Sequence, residues 1–466
     1  MSPAPPPARV LAPGPTRRPG RRGLRPGLLS GLLALLTSGV ALGQGASELR
    51  PDTRPGASGD EALTTAVTRE ALVELAIERS PSLTATRARA RASRLEGEAE
   101  ARLPPPMAEV QVWQIPIASP YRLDRAGMVM AGVKQEFPPA GARRARARAA
   151  RLVARVEDAM VDEQARELAA EVEHAFADYV EATELVRVHE EHRQAAERVA
   201  AFARARYAAG GSLPDLAQAE RELAMIEPTL AAARAEVEVA KARLNGLLRR
   251  DTGAPRGPPS VPAAGRARAE ARALVAEAEA ARPELQVARA QRVAAEAMAD
   301  AESRMARAPM LSAGLYYFAP SEPMPENGFG ASFSTTLPWL WGAPRARSRA
   351  AAARVDAALA EEDAVRARVA LEVMTAAAEV AAAQSRLEAI EIDAIPASQR
   401  AAQATLAGYE SARAEILAAL MARTAVVNTE VEAVMARAEL EHALTELRWA
   451  TGRAGANTAG EPPHAR

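Results

Sequence analysis

The sequence predicts a mainly α protein with a β-barrel contribution, built by duplicating one unit, and three observations carry that prediction. Landmarks recur in order. Pro81-Ser82-Leu83 returns as Pro283-Glu284-Leu285, Pro106-Met107 as Pro309-Met310, Pro138 with Gly141 as Pro338 with Gly342, and Asp215-Leu216-Ala217-Gln218-Ala219 as Glu415-Ile416-Leu417-Ala418-Ala419, always 200 to 203 residues apart. A register kept over that distance means one architecture made twice. Second, Ala142 to Ala209 contains no Gly or Pro over 68 residues, which as helix would be a rod of roughly 100 Å. Third, ten of the sixteen aromatic residues fall within 107–137 and 310–341.

Each part of the plan has its own local reason. Arg17, Arg18, Arg21, Arg22 and Arg25 precede the apolar run Leu28 to Leu42, and Ala41-Leu42-Gly43 offers a small-x-small cleavage site, so 1–43 reads as an export signal peptide. The run is shorter than the ~20 residues of a spanning helix. Residues 44–62 are rich in Gly, Pro, Ser and Asp and read as a flexible linker. The first repeat is expected over 63–248. A helix starts near Leu63, with a new first turn at Ser80-Pro81, and ends before Pro104. The long rod follows, reverses at Gly210-Gly211-Ser212-Leu213-Pro214, and returns to about Leu248. A Pro- and Gly-dense join, 249–266, leads to the second repeat, 267–452, with helices over 267–307, 345–395, 396–407 and 409–451 and a disordered tail over 453–466. Pro396 is expected to bend or break the second rod.

The aromatic patches read as paired strands. Phe329, Ala331, Phe333, Thr335 and Leu337 alternate with Gly330, Ser332, Ser334 and Thr336, the period of a strand with unlike faces. Met128 to Phe137 and Leu311 to Phe318 are similar, with polar loops at Ser119–Arg125 and Pro320–Asn327. Strands of about ten residues can cross a bilayer when tilted, and their aromatics suit interfacial girdles. Four strands cannot close a barrel, and lipid forbids open edges. The chain is therefore expected to oligomerise, two copies giving eight strands and three giving twelve. Two ordinary surface hairpins packed on helices would satisfy the same residues in a water-soluble protein.

Composition excludes several functions. Lys and Arg total 59 against 59 Asp and Glu, so no nucleic-acid footprint exists. Cys is absent, which removes disulfides, thiolate metal sites and thiol nucleophiles. There is no P-loop, no Gly-rich dinucleotide turn and no nucleophile–base set, so neither catalysis nor a cofactor is expected. His189 and His192 flank Glu190 and Glu191, but the spacing matches no metal motif, and a solvated helix surface is the expectation there.

Several local patterns, in this order, resemble the TolC family of outer-membrane efflux proteins over about residues 64 to 452: Glu70-Ala71-Leu72 before Ser80-Pro81-Ser82-Leu83, Gln135-Glu136-Phe137-Pro138 leading to Gly141, Tyr207-Ala208-Ala209-Gly210, and Asp215-Leu216-Ala217-Gln218-Ala219. The resemblance implies a homotrimer with a twelve-stranded barrel in the outer membrane and an α-helical tunnel through the periplasm. It implies passive conduction from an inner-membrane pump joined through a periplasmic adaptor (membrane fusion protein). It places Gly210, Gly211 and Ser212 at the adaptor-docking tip, and Asp215 and Glu415 at the periplasmic entrance, where threefold symmetry would make acidic rings that attract cations. First-turn or N-cap charge explains the two acids equally well. The membrane girdle is expected at Trp113, Phe137, Tyr316, Tyr317, Phe318, Phe329, Phe333, Trp339 and Trp341. Arg143, Arg144, Arg146 and Arg148, with Arg345, Arg347 and Arg349, would then lie near lipid phosphates. A periplasmic coiled-coil adaptor or scaffold is the competing reading, although one hairpin between β modules would suit it better than two hairpins each with its own strand pair.

Overall fold

The computed structural model describes residues 67–115, 117, 126–260, 271–319, 326–340, 342–411 and 413–453. The expected signal peptide and linker, the first strand loop, residues 320–325 of the second and the tail beyond Arg453 lie outside them. All described residues belong to one unit, Ala57–Arg466.

The first repeat comprises α1 (Arg69–Arg79), α2 (Pro81–Glu100), β1 (Met107–Trp113), β2 (Met128–Phe137), α3 (Ala140–Ala208) and α4 (Leu213–Leu247). The second comprises α5 (Ala271–Ala281), α6 (Pro283–Arg307), β3 (Leu311–Ala319), β4 (Gly328–Thr335), a 3-10 turn (Pro338–Leu340), α7 (Gly342–Ala389), a π-helical turn (Ile390–Ala394), α8 (Ile395–Glu410) and α9 (Ile416–Ala450). The duplication is exact in length where it matters most: α3 has 69 residues, and the second rod also spans 69, in pieces of 48, 5 and 16. The return helices α4 and α9 have 35 residues each.

Local chemistry explains the starts. The Thr68 hydroxyl accepts from Ala71 N at 3.4 Å and caps α1, and the Ser80 hydroxyl accepts from Leu83 N at 3.2 Å and caps α2, satisfying amides that have no partner within the helix. The rods pack through small side chains. Ala169, Val172, Ala175 and Phe176 of α3 meet Leu72 and Ala76 of α1 and Leu244 of α4. Val369, Val373 and Val380 of α7 meet Leu440, Leu444 and Leu447 of α9. Alanine lets helix axes approach closely, so slender rods still exclude water along their seams.

Four expectations need correction. The first helix starts at Arg69, because Val67 instead bridges Pro259 in parallel. That bridge, with the Tyr179 hydroxyl donating to Gly257 O at 2.8 Å and the fully buried Asn245 donating to Thr252 O and Ala254 O, pins residues 249–260 of the join. Helix 267–307 divides at Arg282 into α5 and α6. Pro396 does not break its rod. The turn before it widens into the π segment, which absorbs the missing N–H and the ring in place of a break. Finally, Tyr409 closes α8 instead of opening the last helix, which begins at Ile416. Among the described residues no helix is long and apolar enough to cross a membrane.

Candidate functional site

The four strands form one antiparallel sheet in the order β1-β2-β3-β4, so the two hairpins join through β2 and β3, one from each repeat. Paired residues in neighbouring strands share a face, and the register sorts every side chain. One face carries Val110, Ala131, Tyr317 and Phe329 in a row, then Ala108, Val133, Leu315 and Ala331, then Phe333 with Ala313, then Phe137 with Leu311. Its only amide or charged residue is Gln135, whose side chain is held by Pro104 O and Glu136 O. This face is apolar yet exposed: Phe329 is 87% accessible, Phe333 83%, Leu315 72% and Val110 61%.

The other face is polar. Trp113 Nε1 donates to Gln111 Oε1 at 3.0 Å, Gln111 Nε2 to Glu109 Oε1 at 2.5 Å, and the Tyr316 hydroxyl to Glu109 Oε2 at 2.9 Å. Lys134, Glu136, Ser312, Ser332 and Ser334 share that side. Glycine makes room for two of its three large rings: a Cβ on Gly330 would stand 2.6 Å from the Phe318 ring, and one on Gly132 2.3 Å from that of Tyr316.

The nine expected girdle aromatics therefore do not form one belt. Phe137, Tyr317, Phe329 and Phe333 share the apolar face, with Tyr317 and Phe329 edge to face at 5.7 Å. Trp113, Tyr316 and Phe318 stand on the polar face, opposite those four. Exposed Trp339 sits in the 3-10 turn after β4. Trp341 lies outside the described residues. The signal missed in the sequence was the period-two placement of Glu109 with Gln111 and of Lys134 with Glu136.

At the far end of the rods, Gly210 adopts φ +93°, and Gly211 N donates to Arg206 O at 2.9 Å. This is a Schellman reversal, in which a Cβ is disfavoured at Gly210; at Gly211 it would clash with Arg206 O at 2.8 Å. Ser212 caps α4 by accepting from Asp215 N at 3.5 Å, so Asp215 is a first-turn acid and not the cap. Glu415 occupies the cap position of α9 but makes no side-chain capping bond, and is exposed. The second reversal lacks glycine at the matching place, yet Arg413 N still donates to Gly408 O at 2.8 Å.

One residue unforeseen from sequence ties the two tips together. Tyr409 is buried among Ala200, Ala203, Ala219 and Ile416. Phe202 meets its ring edge-on at 5.7 Å, the Arg206 guanidinium lies 5.0 Å from the ring centre, and Arg206 Nη1 donates to Tyr409 O at 3.2 Å. Burial, then the neighbouring Asp215 carboxylate, pushes the Tyr409 hydroxyl above the ordinary phenol value.

A family comparison matches the chain to outer membrane efflux proteins over residues 119–248 and 274–453. The chain belongs to the outer membrane efflux protein family. No curated protein sequence matches it. Among solved structures, a membrane protein from Pseudomonas aeruginosa aligns with TM-score 0.70 and 21% identity over 84% of this chain and 92% of that one. The outer membrane protein VceC of Vibrio cholerae aligns with TM-score 0.67 and 18% identity over 82% and 96%. The open-state outer membrane channel MtrE of Neisseria gonorrhoeae aligns with TM-score 0.61 and 20% identity over 82% and 88%. This efflux protein is thus a duct and not an enzyme, placed in the outer membrane and reaching into the periplasm.

His192 corrects another expectation. It is 7% accessible, against a predicted solvated surface, while His189 is half-buried. Burial, helped by Arg423 and His189, lowers the His192 imidazole from 6.5 to about 4. Between those values the unfolded chain binds the proton and the folded chain does not, so stability is complete above pH 6.5 and is lost as pH falls toward 4. That loss amounts to about 3 kcal/mol per protomer. Urea unfolding at pH 7 and pH 4.5 should show this loss in the wild type and a loss smaller by about 2–3 kcal/mol in His192→Gln; equal losses would refute the assignment.

Proposed function

We propose that three copies close into a twelve-stranded barrel, β4 of each pairing with β1 of the next, and that the rods continue as a periplasmic tunnel. The observation that carries this reading is the sheet with one exposed apolar face, one hydrogen-bonded polar face and a single neighbour for each of β1 and β4. In lipid an unpaired strand edge costs several kcal/mol per group, so the edges demand partners. The apolar face then meets acyl chains, with Phe137, Tyr317, Phe329 and Phe333 in contact with lipid, and Glu109, Lys134 and Ser332 line the passage. Exposed Arg144, Arg146 and Arg148, with Arg345, Arg347 and Arg349, follow the sheet at the phosphate level. We take the repeats as 63–248 and 267–452. Full chain recovered from outer membranes as a cross-linkable trimer that conducts in planar bilayers would support the duct; a water-soluble periplasmic monomer without current would end it.

At the opposite end, Gly210, Gly211 and Ser212 would dock a periplasmic adaptor that links the duct to an inner-membrane pump, and Asp215 and Glu415 would ring the entrance. Arg206 joins the end of the first rod to the end of the second through the Tyr409 ring and carbonyl. Opening the tip separates the two. Arg206→Ala removes a cation–π contact and a charge-assisted hydrogen bond, together about 2 kcal/mol. Single-channel recordings should therefore show an open-to-closed ratio raised roughly 30-fold. An unchanged ratio would place the closing contacts elsewhere.

A further inference from the structure

Away from the sheet and the tip, one group of metal-binding side chains spans the seam between the repeats. Asp178 and Glu181 project from α3, and His442 from α9; one donor atom of each lies within 4.8 Å of the others. His442 Nε2 is 3.1 Å from Asp178 Oδ1, while Arg243 donates to the other oxygen, Oδ2, at 2.5 Å. Behind His442 runs a relay. The Nδ1 atoms of His442 and His174 are 2.8 Å apart, His174 Nε2 is 2.8 Å from Glu446 Oε1, and the two rings stack with centroids 5.1 Å apart. Asp178 and His442 of the group line a cleft of about 540 Å³ whose wall also holds His174, Glu167 and Glu171.

An Asp–His ion pair explains part of this arrangement but leaves Glu181 over. That carboxylate is half-buried, faces the Asp178–His442 pair and makes no hydrogen bond or ion pair among the described residues. We propose that Asp178, Glu181 and His442 bind a divalent transition-metal ion, zinc being the natural probe, across the joint between the two repeats. One imidazole nitrogen and two carboxylate oxygens form a donor set suited to such ions, with a position left open. Donors about 2.0–2.1 Å from zinc stand about 3.3 Å apart at the corners of a tetrahedron. The His442–Asp178 pair already has nearly that separation, and a rotation of Glu181 closes the rest.

The relay supplies what a metal-bound imidazole needs. With Nε2 on the ion, His442 carries its proton on Nδ1 and donates it to His174 Nδ1; His174 then carries its own proton on Nε2 and donates to Glu446. Partners of this kind fix the tautomer and orient the ring. Arg243 offsets only one of the surrounding carboxylates, so the cleft favours a cation. The ion displaces the Nε2 proton to solvent. Because α3 runs into the first tip turn and α9 runs out of the second, the metal would staple the two elements whose far ends form the entrance.

Calorimetric titration of Zn²⁺ into tag-free, chelator-stripped full chain in detergent tests this, with Co²⁺ absorption as a second readout. One ion per protomer is expected, at micromolar affinity, with ligand-field bands typical of a low-coordinate cobalt site. Glu181→Gln and His442→Gln should each weaken binding by about tenfold or more, and His174→Gln by about tenfold through the relay. His189→Gln should bind as the wild type does. Among the described residues Glu181 makes no hydrogen bond or ion pair, so its substitution should leave the fold intact and keeps the test decisive. Absence of saturable binding, or binding that survives both ligand substitutions with less than about a tenfold loss, overturns the site.

Discussion

Arg282→Met should destabilise the protein by about 3–5 kcal/mol per protomer, the largest effect expected of any single side chain in the helical body. The guanidinium is 1% accessible. Nε and Nη2 donate to both oxygens of Glu284 at 2.9 and 3.1 Å, Nη2 also pairs with Glu372 of α7, and the group lies 4.1 Å from the centre of the Trp449 ring on α9. Three helices of the second repeat thus meet on one cation. Removing it leaves two carboxylates largely withdrawn from water, Glu284 without its bidentate partner and Glu372 with only the longer contact to Arg368 at 3.8 Å, and a methionine restores volume only. The duplication explains why the site is specialised. Ser80 holds the matching position in the first repeat and caps its helix, whereas Arg282 caps nothing and binds across the seam. Arg166 of α3 completes the joint by donating to Ala281 O and Gly452 O at 2.8 and 2.9 Å. Thermal or urea unfolding checks the prediction against Arg187→Ala, which removes exposed pairs with Glu184 and Glu191 and should cost less than about 1 kcal/mol. Arg282→Met/Glu284→Leu should recover part of the loss, because one stranded charge goes with its partner. Equal stability of Arg282→Met and wild type would mean that water reaches the cluster.

The long rods were legible because nothing in 68 residues interrupts them, and the four strands because their aromatics are crowded into two short segments. What escaped the sequence has physical causes. Proline reads as a breaker, but a helix supported along its whole seam can widen by one residue and continue, as it does before Pro396. Aromatic content marks a strand without saying which way each ring points. Only the pairing register separates Tyr316 from Tyr317, and register depends on the partner strand. Tyr409 looked like the start of a helix because Gly408 precedes it; it closes α8 because its ring fills the gap between the two tips. His192 sits in a charged stretch and still faces inward, since one helical turn carries both exposed and buried positions. The pair formed by His174 and His442 joins residues 268 positions apart, and no local pattern could have announced it.

Charge placed on the two sides of β4 should separate the faces of the sheet more sharply than any other substitution. Phe333 and Ser332 are neighbours in sequence and point in opposite directions: Phe333 is paired with Ala313 on the apolar face, Ser332 with Gly314 on the polar one. Arginine on the lipid side of a barrel costs about 2–4 kcal/mol near the bilayer midplane, and every closed assembly carries it once per subunit. Phe333→Arg should therefore abolish heat-resistant oligomers in outer-membrane extracts while leaving the helical signal of the purified chain in place. Ser332→Arg puts the same charge beside the Tyr316 hydroxyl, 3.5 Å from the serine oxygen in the wild type, on the side facing the passage. Assembly should survive there, and the added positive ring should lower the preference of the channel for cations. The contrast excludes the soluble alternative directly, because a sheet with water on its apolar face would accept arginine at 333 more readily than at 332. Assembly retained in Phe333→Arg and lost in Ser332→Arg would reverse the two faces and with them the orientation of the whole barrel wall.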